Sequence, residues 1–265
     1  MNFNVELLLF VALIVSGVIV LIDCVFFRKA RHQEVQAQED FAGLSKKKQK
    51  EALQAPMLAD WAYAFLPVLV IVILFRSFFY EPFRVPTGSM LPTIQLNDFL
   101  LVNKYAYGIH LPLSNKKITK GSAPKRGDIA VFPSPPNPNV SYVKTVVAVA
   151  GDKVSYINKH LYVNGKPLKR SLVDQAYIDV SPVEGAYTVD HYKEHIGTSV
   201  HDVYNTKNSA SVSFYNIVVP KGKVFAMGDN RDHSGDSRYF GFVDSDTITG
   251  RADYIWFSWD SQHSK

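Results

Sequence analysis

The segment YVKTVVAVAGDKVSYI, residues 142–157, contains two short runs rich in Val and Tyr that are separated by a Gly-Asp pair. Such runs, bounded by turn-forming residues, are typical of β-strands joined by tight turns. Similar runs recur from residue 81 to the C-terminus, among them DFLLVNKYAY (98–107) and ADYIWFSW (252–259). No stretch here keeps a long helical period. Residues 81–265 are therefore predicted to form a mainly β domain built from hairpins.

One part of this β region differs from the rest in its pattern of residues. Residues 171–213 are more polar and show no clear alternation of apolar and polar side chains. We interpret them as part of an insertion or small subdomain with boundaries at about 155–215. Just before them, Asn164-Gly165 is a strong signal for a hairpin turn.

Two apolar segments precede the β region. Residues 5–27 are long enough to cross a bilayer as a helix, and residues 61–80 form a second, slightly shorter candidate. The alternative for either segment is a buried core helix. The first segment does not resemble a cleavable signal peptide, because no positive region precedes it and no small-x-small site closes it.

The distribution of basic residues predicts the orientation of these two spans. The intervening loop, 28–60, carries a KKKQK run and further Lys and Arg residues, whereas residues 1–4 carry none. The positive-inside rule therefore places this loop in the cytoplasm. Residues 1–4 and the β domain, 81–265, are then both extracytoplasmic.

Composition excludes several other classes of protein. Hydrophobic residues make up 47% of the 265 residues, which argues against a disordered chain. The net charge of +5 is modest and is not gathered on one patterned face, so we predict no nucleic-acid partner. Cys24 is the single cysteine, so no intrachain disulfide can form.

The first candidate catalytic segment is FRVPTGSMLPTI, residues 83–94. Pro86 and Pro92 stiffen the backbone, and Gly88 permits an unusual conformation directly before Ser89. A nucleophilic serine needs a rigidly held hydroxyl and a nearby backbone N–H for the oxyanion, and this turn can supply both. The alternative is an ordinary Pro-flanked turn.

The second candidate is Lys144, which lies in an apolar, strand-like run. On an alternating strand the side chain would simply point to solvent. If the side chain is buried instead, desolvation lowers the pKa of the ammonium toward neutrality. A neutral amine is a competent general base for a serine hydroxyl.

The third candidate is the loop MGDNRDHSGDSRYFGFV, residues 227–243, which follows an apolar strand. Asp236 and Arg238 can form an ion pair that holds the loop, and Ser234 can orient the lysine amine. The alternatives are an ordinary polar loop or a calcium loop, although the spacing and the missing Glu fit an EF-hand poorly.

Together these segments closely resemble type I signal peptidase of the bacterial kind, the leader peptidase family. The resemblance covers nearly the whole chain, is weakest over 155–215, and preserves the family order. It is carried by the motifs PTGSMLPT (86–93), PKRGDI (124–129), YVKTVVAVAGD (142–152) and GDNRDHSGDSRYFGFV (228–243).

The resemblance implies a role for each site residue. Ser89 matches the nucleophile and Lys144 the general base, with the oxyanion held by the Thr87 hydroxyl and the Ser89 N–H. Ser234 would position Lys144, and Asp236 with Arg238 would form the supporting ion pair. The implied fold is a mostly antiparallel β catalytic domain with a small inserted subdomain. The implied substrate pockets are lined by Phe83, Val85, Ile94, Tyr142 and Val143.

The implied activity is a membrane-bound serine endopeptidase that removes signal peptides after an A-x-A-like site. Its partners would be the signal peptides of Sec- and Tat-exported preproteins and membrane lipid, with no metal and no cofactor. The location would be the bacterial inner membrane, with catalysis on the extracytoplasmic side. Ser89 lies ten residues beyond Phe79, within about 35 Å of the predicted membrane boundary even if fully extended.

Some positions depart from the family pattern. Thr87 stands where Ser is frequent, Thr145 where Arg is common, and His233 where Asn is usual, while Val149-Ala150 replaces a Leu-Pro. These departures leave the geometry of the local loops open.

Three other functions remain as alternatives. One is a Ser–Lys protease with a dedicated substrate, and another is a non-catalytic, membrane-tethered β binding domain. The third is a zinc hydrolase using His191, His195 and His201 with Asp190 and Asp202, although the His-Glu-x-x-His order is missing.

Overall fold

The computed structural model describes residues 5–37, 41–43, 45–111, 116–179 and 186–258. The chain divides into two compact units, residues 1–76 and 77–265. Residues 1–4, predicted to be extracytoplasmic, lie outside the described residues.

The N-terminal unit is helical. Its elements are α1 (Val5–Ile22), a π-helical turn (Asp23–Phe27), α2 (Arg28–Gln36), a 3-10 turn (Phe41–Gly43), α3 (Lys46–Ala52) and α4 (Met57–Phe78). Two helical stretches among the described residues, Leu7–Gln36 and Met57–Phe78, are long and apolar enough to cross a membrane. They overlap the predicted spans, and α4 begins four residues before the predicted start at Trp61. The orientation of the spans stays a prediction.

A polar cluster joins the two long helices of this unit. The Asp23 carboxylate is buried and accepts hydrogen bonds from both terminal nitrogens of Arg31, at 2.8 and 3.0 Å. The Tyr63 hydroxyl on α4 donates a third, at 3.1 Å. The carboxylate is therefore satisfied within the helical unit.

The C-terminal unit is built from antiparallel strands, which confirms the predicted fold class. Three 3-10 turns (Gly88–Met90, Arg231–His233 and Ser245–Thr247) and α5 (Ser237–Phe240) complete it. The strands are β1 (Tyr80–Arg84), β2 (Phe99–Asn103), β3 (Ile129–Ser134), β4 (Asn137–Val149), β5 (Lys153–Ile157), β6 (His160–Val163), β7 (Lys166–Pro167), β8 (Arg170–Asp179), β9 (Ala186–Ile196), β10 (Ser199–Thr206), β11 (Phe214–Val218), β12 (Lys223–Met227), β13 (Val243–Asp244) and β14 (Gly250–Phe257).

The strands form three sheets. The largest has the order β1-β2-β14-β3-β4-β12-β13, and the others are β11-β5-β6-β7 and β10-β9-β8. The predicted hairpin turn is confirmed: Asn164 and Gly165 join β6 to β7 with φ of 55° and 76°.

The polar segment 171–213 is more regular than its sequence indicates. It contributes most of β8, β9 and β10, which pair over eight residues or more. Alternation was a poor guide here because most described side chains of β8 are exposed, while β9 and β10 bury charged residues such as Glu194 beside apolar ones such as Val189.

The C-terminal half of β4 is buried on both faces. Val146 packs into one apolar cluster with Phe132 and Ala226, while Val147 packs into another with Tyr156 and Phe225. Every residue from Val143 to Ala148 is buried as a result. A lysine at position 144 therefore has no solvent face to occupy, and the interpretation of Lys144 as a surface residue is wrong.

A buried ion pair links the three-stranded sheet to the largest sheet. Glu194 on β9 and Arg231, in the turn after β12, pair through both guanidinium termini and are both nearly inaccessible. Although burial opposes ionisation, Arg231 and His201 lower the pKa of the Glu194 carboxyl to about 2.

We expect Glu194→Ala to lower the free energy of unfolding by about 3–5 kcal/mol, because it leaves the Arg231 charge buried without its partner. Chemical unfolding of the detergent-solubilised protein measures this. Lys223→Met is the matched control, since it breaks the partly exposed Lys223–Asp244 pair and should cost about 1 kcal/mol or less. Equal losses for the two variants would contradict the expectation.

Candidate active site

The serine and the lysine are brought together from distant parts of the chain. Ser89 lies in the 3-10 turn after β1, and Lys144 lies in the middle of β4. The Lys144 Nζ donates a hydrogen bond to Ser89 Oγ at 2.6 Å. The nucleophile and base that the resemblance implies are therefore in direct contact.

The surroundings of the amine favour its neutral form. Lys144 is 3% exposed, and its Nζ lies 5.1 Å from the centre of the Tyr142 ring. Burial lowers the pKa of the Lys144 ammonium to about 8, although the charges of Asp236 and Asp229 act in the opposite direction. An amine with such a pKa is partly neutral near pH 7.5 and can accept a proton.

A glycine allows the third segment to pack directly against the serine. A Cβ at Gly228 would lie 2.2 Å from Ser234 Oγ and 2.5 Å from the Ser89 carbonyl oxygen. Among the described residues, the buried Ser234 hydroxyl has no hydrogen-bond partner. Its role in positioning Lys144 stays a prediction.

Asp236 and Arg238 form a buried ion pair behind the lysine. The Asp236 carboxylate accepts from Arg238 Nε at 2.8 Å and from Nη2 at 2.7 Å. It also accepts from the Gly228 N–H at 2.9 Å, and the same Arg238 nitrogen reaches the Arg231 carbonyl. The pair thus holds both sides of the loop that carries Ser234.

Thr87, which is predicted to hold the oxyanion, lies on the exposed side of Ser89. Thr87 is exposed, and its Oγ1 lies 3.5 Å from Ser89 Oγ, at the limit of a hydrogen bond. The Thr87 hydroxyl and the Ser89 N–H are the two donors for a bound oxyanion that the resemblance implies, and this role stays a prediction.

A cleft of about 220 Å³ opens beside Ser89 and Lys144. Four of the five predicted pocket residues line it, namely Phe83, Val85, Tyr142 and Val143. Ile94 does not: it is almost fully buried beneath the cleft, where it packs with Val85 and Met90. We attribute the difference to the tertiary packing of the turn after β1, which sends Ile94 into the core. Other residues of the lining are Pro86, Thr87, Met90, Val140, Ser141, His233 and Gly235.

Sequence reasoning missed Asn230, which holds the turn that carries the serine. Its backbone N–H donates to the Ser89 carbonyl at 3.1 Å, and its side-chain amide donates to the Gly88 carbonyl at 3.1 Å. The amide also donates to the Tyr187 hydroxyl at 2.8 Å. In the sequence, the position of Asn230 inside the GDNRD motif was the signal that could have identified it as a site residue.

His233 was noted in the sequence as a departure but given no role. It lines the cleft, and its ring stacks on Tyr187 with centroids 3.7 Å apart. Its Nε2 lies 3.0 Å from the Thr206 hydroxyl. The three-stranded sheet therefore supports one wall of the cleft.

The histidines of the zinc alternative have separate partners. His191 contacts Asp174 and Asp202, whereas His201 contacts Asp229 and Glu194. Within the described ranges no group of three or more candidate ligands could hold a metal ion. The zinc interpretation therefore finds no support in the geometry.

A serine hydroxyl in contact with a buried amine, beside an apolar cleft of a β domain, is the arrangement of a serine hydrolase. The family model "Signal peptidase, peptidase S26" matches residues 58–259. The chain belongs to this family of peptidases.

Individual relatives agree with this assignment. Signal peptidase I of Pseudomonas fluorescens is 37% identical, over 98% of this chain and 94% of the relative. The protein of the same name from Pseudomonas aeruginosa is 38% identical, with the same two coverages. Signal peptidase I of Haemophilus influenzae is 31% identical, over 98% of this chain and 87% of the relative.

We expect Gly228→Ala to destabilise the fold by about 1–3 kcal/mol and to reduce peptidase activity strongly, because the new methyl group displaces Ser234 and the Ser89 backbone. Thermal unfolding and a peptidase assay measure the two effects. For stability, Gly235→Ala in the same loop is the control, since no atom lies within 4 Å of its added Cβ. Unchanged activity of Gly228→Ala would show that this contact does not position the serine.

Proposed function

We propose that this protein is a membrane-bound serine endopeptidase that removes N-terminal signal peptides from exported preproteins, with Ser89 as nucleophile and Lys144 as general base. The observation that carries the proposal is the 2.6 Å contact between Lys144 Nζ and Ser89 Oγ, in a chain of the signal peptidase family. The burial of Lys144 supports it, because only the neutral amine can take the serine proton.

Reaction begins when Lys144 removes the proton from Ser89 Oγ as that oxygen attacks the scissile carbonyl carbon. The new C–O bond gives a tetrahedral oxyanion, which the Thr87 hydroxyl and the Ser89 N–H stabilise. Lys144 then gives its proton to the leaving amine, and the C–N bond breaks to leave an acyl-enzyme. Lys144 next removes a proton from water, whose oxygen attacks the ester carbon. The bond from that carbon to Ser89 Oγ then breaks, and Lys144 returns the proton to Ser89 Oγ, which frees the acid product and restores the enzyme.

The cleft supports a preference for small side chains at two alternate positions. In an extended peptide, the first and third residues before the cut point to the same side. Both would enter the shallow apolar cleft, whose walls include Val85 and Tyr142. The second residue would point away, so an A-x-A-like site fits. Strand β1 ends the largest sheet, and its outer edge offers backbone groups to such a peptide.

The two apolar helices support a location in the bacterial inner membrane. The basic residues between them indicate a cytoplasmic loop, which puts the β domain on the extracytoplasmic side. Membrane lipid and the signal peptides of Sec- and Tat-exported preproteins would be the partners there. A signal peptide is cut just beyond its membrane-embedded apolar region, and Ser89 follows the second helix closely in sequence.

We expect Ser89→Ala and Lys144→Met to abolish cleavage of a preprotein with an A-x-A site, because each removes one half of the reacting pair. Lys144→Met should unfold at the same temperature as the wild type or higher, since it replaces a buried amine by an apolar chain of similar length. Lys153→Met, at an exposed position of β5, is the matched control and should cleave normally. Near-normal cleavage by Lys144→Met would refute the assignment of the base.

We expect kcat/KM to fall about tenfold for each pH unit below about 8, because protonated Lys144 cannot accept the serine proton. The sign follows from burial: the neutral amine predominates above its pKa, so activity rises with pH and then levels. A pH profile of preprotein cleavage measures this. A rate that stays constant between pH 6 and 8 would contradict the role of the amine.

A further inference from the structure

The carboxylate of Asp229 is fully buried close to the candidate base. Its Oδ1 accepts a hydrogen bond from the Thr145 hydroxyl at 2.8 Å, and Thr145 directly follows Lys144 on β4. Its charge is one of the influences that favour the protonated form of Lys144. A buried carboxylate in this position therefore opposes the neutral base unless a cation balances it.

The titratable side chain in contact with Asp229 is His201 on β10. Its Nδ1 lies 3.1 Å from Asp229 Oδ1, and its Nε2 lies 3.4 Å from Glu194 Oε2. The ring is 9% exposed, so it is held between two carboxylates away from water.

A count of the buried charges around His201 indicates that the ring is protonated. Asp229 and Glu194 bring two negative charges, and Arg231 brings one positive charge. With Lys144 neutral, these buried charges sum to zero when His201 carries the second positive charge. Burial alone would lower the pKa of the imidazole, but the two carboxylates outweigh it and raise the pKa of His201 to about 9.

We propose that His201 is a positioning residue for the proposed reaction, whose imidazolium balances the Asp229 carboxylate and so sets the charge that surrounds Lys144. The inference rests on the proposed function of Lys144. The other carboxylate that influences the amine, Asp236, is already balanced by Arg238. His201, on the three-stranded sheet, is to Asp229 what Arg238 is to Asp236: the cationic partner of the carboxylate.

The test is the pH profile of preprotein cleavage by the full-length protein in detergent. His201→Gln leaves the Asp229 charge unbalanced, which favours protonated Lys144. We expect the acid limb to move up by about one pH unit, so that cleavage below the limb is about tenfold slower. His201→Lys keeps the positive charge and should keep the limb near its wild-type position.

A second substitution separates charge from packing. Asp229→Asn in the His201→Gln background removes the unbalanced charge and should return the limb to the wild-type pH.

His191→Gln is the matched control, because His191 also lies between two carboxylates of the three-stranded sheet, Asp174 and Asp202. His233, which lines the cleft, is present in every variant and contributes equally to each profile. An unmoved limb in folded His201→Gln, or an equal shift in His191→Gln, would overturn the proposal.

A titration of His201 in the wild-type chain does not depend on cleavage. NMR of histidine-labelled protein, with His201 assigned from its missing signal in His201→Lys, should show a ring that stays protonated well above pH 7. A ring that is neutral at pH 7 would overturn the proposal. Absence of cleavage by the wild type at every pH would instead count against the proposed function, and the titration would still report the charge of His201.

Discussion

The burial of one amine is the constraint on which the rest of this structure depends. The C-terminal half of β4 is covered on both faces by apolar clusters, so the Lys144 side chain cannot reach bulk water. An ammonium ion in such a place loses its hydration, and the neutral form becomes accessible near physiological pH. The same burial directs Nζ to the Ser89 hydroxyl, at 2.6 Å. The packing that holds the strand therefore also favours the neutral, reactive form of the lysine, while the buried amine costs stability relative to an apolar side chain.

The loop after β12 provides both balanced charges near Lys144 and close packing against Ser89. It places Asp229 and Asp236 near the amine, and each carboxylate has a cationic partner, His201 and Arg238 respectively. Unpaired, either carboxylate would hold the proton on Lys144. Within the same loop, Gly228 lets the chain pass against the carbonyl of Ser89 without a Cβ in the way. Charge balance and close backbone packing therefore occur in one short segment.

The sequence predicted the class of fold, and it named Ser89 and Lys144 as a pair whose side chains the structure places in contact. Alternation and turn residues were sufficient for the hairpins, as at Asn164 and Gly165, because these signals are local. The burial of Lys144 depends on two apolar clusters from other strands, which no window around residue 144 contains. For the same reason Ile94 was assigned to the cleft although it packs beneath it. Asn230 was missed because its partner, the Gly88 carbonyl, is 142 residues away in sequence.

The three-stranded sheet was the least predictable part, yet it contacts the site at two independent places. Tyr187 on β9 supports the His233 wall of the cleft and accepts a hydrogen bond from the Asn230 amide. His201 on β10 reaches the Asp229 carboxylate. The region was interpreted as an irregular insertion because β8 is largely exposed and because charged residues such as Glu194 and His201 are buried beside apolar ones such as Val189 and Ile196. Those charges form one connected cluster with Arg231, so the insertion cannot shift without disturbing the groups that face Lys144. The sheet is therefore part of the electrostatic environment of the amine.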